Sequence, residues 1–139
     1  MKKLQLFFTF TLLLSIFALE STVLAQNEPV MYFCDKISSN GAVGISDQHP
    51  TGYLIVVVKS NYAMGLHEVA IQLDKYNFRT GEFEYYKKFH YTMELDMKIV
   101  SFKKNDESDM EFEDPGFYRV FLLDDRDRKV ASAIIEIIR

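Results

Sequence analysis

Beyond residue 25 no long stretch carries apolar residues at helical spacing. Short apolar runs alternate instead with clusters of Gly, Asn and Asp, the pattern of an all-β domain. The first run is 29–34. A polar loop, 35–51, follows with Asn40-Gly41 and His49-Pro50, and a short edge strand is expected near 43–45. Residues 53–58 are six consecutive apolar residues, as in a central strand covered on both faces. In 67–76, Val69, Ile71 and Leu73 point one way while Gln72 and Asp74 point the other. Arg79-Thr80-Gly81 reads as a hairpin turn. The returning strand, 82–93, places Phe83, Tyr85, Phe89 and Tyr91 on one face, interrupted by Lys87. Glu82, Glu84, Lys88 and His90 take the other face, joined by Tyr86. Leu95, Met97 and Ile99 lead into a further short strand, and a mostly acidic loop spans 103–114. A last hairpin pairs 117–123 with 130–138 across 124–128. About seven strands, with turn signals roughly every ten residues, predict an antiparallel β-sandwich.

Asp114-Pro115-Gly116-Phe117-Tyr118-Arg119-Val120 resembles the D-x-G-x-Y-x-C segment that opens the second-last strand of immunoglobulin-like (Ig-like) domains. The resemblance implies that Tyr118 is the corner tyrosine, its hydroxyl bonded to nearby backbone and its ring sealing the core. Val120 then stands where antibody domains carry the second disulfide cysteine. With no Trp and one Cys, the chain departs from the antibody type and is closer to bacterial and fibronectin-like sandwiches. The implied fold is an Ig-like antiparallel β-sandwich, and the resemblance covers the last 25 residues.

Residues 1–25 have the three parts of a secretory signal: basic Met1-Lys2-Lys3, an uncharged apolar run from Leu4, and Val23-Leu24-Ala25 before a cleavage point. The apolar run is short for a bilayer span, which takes about 20 residues, and Glu20 closes it. Removal of 1–25 leaves an Ig-like domain at 26–139, exported to the periplasm or the exterior of a bacterium and not inserted in the membrane. That domain has 14 basic and 19 acidic side chains, a net charge of −5. An acidic surface argues against nucleic acid, which selects for Lys and Arg patches. Cys34 is the only cysteine and lies in an apolar run, which predicts a buried thiol rather than a reactive one.

Candidate chemistry is sparse. His49, His67 and His90 fall in a loop, at a strand start and on a polar face, with no two at metal-ligand spacing. No phosphate-binding glycine loop, G-x-S-x-G elbow or H-E-x-x-H is present. No catalytic residue, cofactor or metal is expected. Two acidic clusters, one at Asp106, Glu107, Asp109, Glu111, Glu113 and Asp114 and one at Asp124, Asp125 and Asp127, read as solvated loops. Calcium ligation is the alternative for each. Pro50-Thr51-Gly52-Tyr53 is similar to a loop motif of chagasin-type cysteine-protease inhibitors, which are also small Ig-like sandwiches. That likeness implies a loop that enters a protease cleft, although the family's G-x-G-G and Arg-Pro-Trp loops are missing here.

The apolar parity of the last hairpin is more informative. Tyr118, Val120 and Leu122 should face the core, which leaves Phe117, Arg119, Phe121 and Leu123 on the reverse. In the last strand Ala131, Ala133, Ile135 and Ile137 share one face, and Val130, Ile134 and Ile138 the other, with Ser132 and Glu136. A sandwich of this size has one core, so the second apolar face meets either the protein's own loops or another molecule. The expectation is a non-enzymatic binding or assembly module that engages a protein partner, or itself as a homo-oligomer, through Phe117, Arg119, Phe121, Leu123, Ile134 and Ile138. The alternative is a secreted inhibitor or ligand-binding domain that acts through Pro50, Thr51, Gly52 and Tyr53.

Overall fold

The computed structural model describes residues 28–105 and 110–139. The expected signal peptide lies outside them, as do Asp106, Glu107 and Asp109 of the first acidic cluster. Every helix-or-strand element among the described residues is a strand: β1 (Val30–Cys34), β2 (Lys36–Ser38), β3 (Gly41–Val43), β4 (Gln48–Pro50), β5 (Ile55–Lys59), β6 (Glu68–Asn77), β7 (Glu82–Thr92), β8 (Ile99–Phe102), β9 (Gly116–Leu123) and β10 (Lys129–Ile138). The seven expected strands are β1 and β5 through β10. The three others are three-residue strands inside the polar loop 35–51; β3 ends at Val43, where the short edge strand is expected, while β2 and β4 are too short for side-chain alternation to announce them.

The strands form a three-stranded sheet, β1-β5-β8, a five-stranded sheet, β4-β10-β9-β6-β7, and the small hairpin β2-β3. All pairings are antiparallel except that of β4 with β10, which is parallel. With β1, β5 and β8 as A, B and E, and β10, β9, β6 and β7 as G, F, C and C′, this is the strand order of an Ig-like sandwich whose C′ strand extends the G-F-C sheet. The inward positions of both sheets meet in one core. Phe33, Val56 and Phe102 come from the smaller sheet, and Ile71, Val120 and Ile135 from the larger. Each such buried side chain is worth about 1.5–3 kcal/mol relative to leaving it in water.

Tyr118 closes one end of this core. Its ring is fully buried, edge-on to Tyr86 at 5.5 Å and to Phe112 at 5.4 Å. Its hydroxyl donates to the carbonyl of Asp114 at 2.7 Å. This is the corner that the D-x-G-x-Y resemblance implies. Burial, with the Tyr86 and Asp114 neighbours adding to it, pushes the phenol well above the ordinary tyrosine range. Val120, at the cysteine position of the motif, is fully buried as well.

Two β-bulges change which side chains are wet. In β6–β7, Leu73 faces Lys87 and Asp74 faces Tyr85, so Tyr86 is an extra residue. Phe89 and Tyr91 pack on the core as alternation predicts, but beyond the bulge the order inverts. Tyr86 turns toward Tyr118, while Phe83 and Tyr85 move to the outer face. The expectation that Phe83, Tyr85, Phe89 and Tyr91 share one face is therefore corrected. In β9–β10, Leu123 faces Lys129 and Leu122 faces Ala131, leaving Val130 as the extra residue. Val130 packs against the core instead of joining Ile134 and Ile138 outside.

Cys34 is a free and fully buried thiol. Burial raises its pKa, and the neighbouring Asp35 carboxylate raises it further, so the thiolate is disfavoured as expected. Replacing Tyr118 by Phe keeps the ring and removes one buried hydrogen bond. Denaturant titration should show a loss of about 1–3 kcal/mol; unchanged stability would mean that the 2.7 Å contact to Asp114 contributes nothing.

Candidate binding face

The reverse of the five-stranded sheet carries one group of the molecule's exposed aromatic and aliphatic side chains. Strand parity sends Phe117, Arg119, Phe121 and Leu123 of β9 outward, together with Ile134 and Glu136 of β10 and Gln72, Asp74 and Tyr76 of β6. In register, Ile134 lies opposite Arg119, which lies opposite Asp74, which lies opposite Tyr85.

An aromatic strip crosses one end of this face. Tyr76 contacts Phe83 at 5.2 Å and Phe78 at 5.1 Å, and Phe78 reaches Phe117 at 6.3 Å. Phe78 is 73% exposed, Tyr85 66% and Ile134 54%. The rings reach this side for different reasons. Phe83 and Tyr85 come through the Tyr86 bulge. Phe78 belongs to the turn after β6, where Asn77 Oδ1 accepts from the Arg79 N–H at 2.9 Å and Gly81, at φ 75°, closes the hairpin onto the Asn77 carbonyl.

Arg119 sits in the middle. Its guanidinium carbon lies 4.8 Å from the ring centre of Phe83 and 5.0 Å from that of Phe121, stacked between them. Nη2 donates to Asp74 Oδ2 at 3.3 Å, and Gln72 Nε2 donates to Asp74 Oδ1 at 2.8 Å. Nε is buried without a hydrogen-bond partner. Beside Phe117 and Ile134 an open groove continues toward β4, lined also by Ser46, Asp47, Gln48 and Glu136. Gln48 Nε2 donates to Glu136 Oε2 at 2.7 Å in its lining.

Of the expected surface residues, Phe117, Arg119, Phe121 and Ile134 come together here. Ile138 is exposed at the edge beside Pro50 of β4. Leu123 lies on the same face but is only 6% exposed, so it offers a partner almost nothing. The loop alternative is held in place by backbone bonds. Pro50 pairs with Ile138, the Thr51 N–H donates to the Ile138 carbonyl at 3.0 Å, and Gly52 exchanges two 2.9 Å bonds with Phe112. Tyr53 lies half exposed under Lys104, whose ammonium is 4.5 Å from the ring centre.

The chain is similar to a solved immunoglobulin-like protein from Pseudomonas aeruginosa, at 13% identity over 82% of this chain and 99% of that one, with a TM-score of 0.46. No protein-family model and no curated protein matches the chain.

Two of the histidines and several of the described acidic residues have local partners. His49 is buried, with Nδ1 3.0 Å from Asp35 Oδ1 and Nε2 3.1 Å from the Ser46 carbonyl, and His67 Nδ1 lies 2.8 Å from the Met93 carbonyl. Glu113 pairs with Lys87 and Asp114 with Lys75. Asp127 pairs with Lys88 across the outer face. Asp124 anchors the β9–β10 turn. Its Oδ1 accepts the Arg126 and Arg128 N–H groups at 3.0 and 2.8 Å, and its Oδ2 accepts the Arg128 guanidinium at 2.7 Å. Among the described residues no three His, Cys, Asp or Glu side chains are placed to share a metal ion.

Those bonds, the Arg128 N–H first, hold the Asp124 carboxyl below the usual aspartate range. A lowered native pKa means that its contribution to stability is complete above the unfolded value and disappears as pH falls through the native one. Asp124→Asn keeps an oxygen for the two N–H groups and loses the charge. Urea melts across the acid range should show the variant weaker than wild type at neutral pH, with the gap closing as the wild-type carboxylate is protonated. A gap that stayed constant with pH would show that the charge is not what stabilises the turn.

Proposed function

We propose that the chain is an exported, non-enzymatic binding or assembly module of the bacterial envelope or exterior that engages a protein partner, or a second copy of itself, through the outer face of its five-stranded sheet. The observation that carries this reading is the exposed run of Tyr85, Phe78, Phe117 and Ile134 around a stacked arginine. Soluble domains seldom leave a contiguous patch of large apolar side chains in water without a use for it. The non-enzymatic part is supported by how the reactive side chains are engaged. Cys34 is sealed with a raised pKa, and His49 and His67 are bonded to neighbouring backbone carbonyls. Export is supported by the three-part leader, Met1 to Ala25.

Ile134→Lys separates the face from the fold. The side chain is 54% exposed, so stability should move by no more than about 0.5 kcal/mol. A charge set among apolar contacts must be desolvated without a mate, so self-association or partner capture should be lost. Light scattering and a pull-down from the native envelope, with a thermal melt as control, read both effects. Assembly unchanged in a folded Ile134→Lys protein would rule out the face. Mass spectrometry of the protein from its host should give an N-terminus at Gln26 or within a few residues, and an intact Met1 would overturn export by cleavage.

A further inference from the structure

We propose that Arg119 is the docking point for a carboxylate of the partner, supplied by an Asp or Glu flanked by apolar side chains in an extended peptide segment. This rests on the reading of the outer sheet face as the binding surface and says what that surface selects.

A guanidinium has five N–H donors in a planar fork. Arg119 makes one hydrogen bond with the protein, the 3.3 Å contact from Nη2 to Asp74. That is long for a charge-assisted bond, which usually measures about 2.7–2.9 Å, and it is not the two-bond fork that Arg and carboxylate form when matched. Asp74 Oδ1 accepts from Gln72 and gives Arg119 no second bond. Nε is buried and unpaired. Arg119 is therefore held by ring stacking and a single long bond to its counter-ion, and most of its N–H donors have no partner in the protein. The side chain is 41% exposed while Nε is covered, so the exposed part is the Nη edge, open between Phe83 and Phe121. Stacking fixes the plane of the group, which removes rotamer entropy that a free arginine would lose on binding. Lys88, on the same face, is already paired with Asp127.

The surroundings define the rest of the ligand. Ile134 lies directly across from Arg119, and Phe117 is two positions along β9 on the same face, next to the groove. A carboxylate seated on Arg119 brings its neighbours over these apolar side chains. A glycan fits less well. Its hydroxyls need several free polar groups beside the stacked rings, and there Asp74 and Gln72 are bonded to each other with Asp74 buried, while Ser46, Asp47, Gln48 and Glu136 line the groove beyond Phe117 and Ile134.

The test uses the isotopically labelled, processed protein from an expressing host, observed by NMR. One probe is a pool of capped pentapeptides with a central Asp between Leu, Ile and Phe. A second is the matched pool with central Asn, and a third is an oligogalacturonate, a glycan that bears carboxylates. The Asp pool should shift the Arg119 side-chain and Ile134 methyl signals and bind about tenfold more tightly than the Asn pool, the size of one charge-assisted bond. Arg119→Gln, which keeps much of the side chain's length and removes the charge, should lose that preference. The Asp–Asn contrast in wild type decides the matter even if the variant fails to fold. Equal shifts from both peptide pools would overturn the role of Arg119 and leave the face standing as a binding surface. Shifts from oligogalacturonate alone would replace the peptide by a glycan. No shift on the face from any probe would overturn the inference and count against the face itself.

Discussion

The bond from the Tyr118 hydroxyl to the Asp114 carbonyl fixes the phase of β9, and much of the molecule follows from that phase. Once Tyr118 is inside, Val120 and Leu122 are inside with it, and Arg119 and Phe121 must be outside. The same bond brings the preceding segment back against the sandwich. Phe112 of that segment bridges to Gly52, Glu113 meets Lys87 and Asp114 meets Lys75. The Lys75 ammonium, with Tyr86 hydrogen-bonded at its side, holds the Asp114 carboxyl below the ordinary range. The corner is thus tied from both sides, by an uncharged buried bond within and by exposed ion pairs without. The ion pairs are the weaker part, because exposed charges in water contribute about 0–1 kcal/mol each.

β9 therefore has two unlike sides. Its inner side is close-packed and apolar, where any polar atom would need a mate. Its outer side places a cation between two rings and leaves one of its nitrogens without a partner. The difference between the two sides is one step along the chain, from Tyr118 to Arg119. An interior tolerates no such loose end without a cost, so its presence on an aromatic surface is more informative there than any single exposed apolar residue.

The sandwich, its long strands and its corner were legible because they rest on period-two alternation and on a motif with a mechanical reason for each position. Phe117, Arg119, Phe121 and Ile134 were legible on the same ground. Phe83 and Tyr85 were not. Strict alternation assigns them to the core, and nothing in Tyr85-Tyr86-Lys87 marks the extra residue that turns them outward. Without them the clamp on Arg119 has only one visible jaw, so the sequence shows an arginine among phenylalanines and not a stacked one. Val130 is hidden in the same way by the second bulge. The burial of Leu123 escaped because parity assigns a face and says nothing of what the β9–β10 turn does beyond it.

The Tyr86 bulge also bears on how chains can meet. β7 is the outermost strand of the larger sheet, and eleven residues of regular edge would invite another chain to hydrogen-bond alongside it. The extra residue breaks the ladder in mid-strand, and Lys87 and Lys88 follow it directly. Pairing of the β7 edge with an unlike edge of the next copy repeats without limit and leads to filaments, whereas two copies that meet about a two-fold axis close after a single step. A kinked, lysine-bearing margin therefore works against open-ended strand addition along β7.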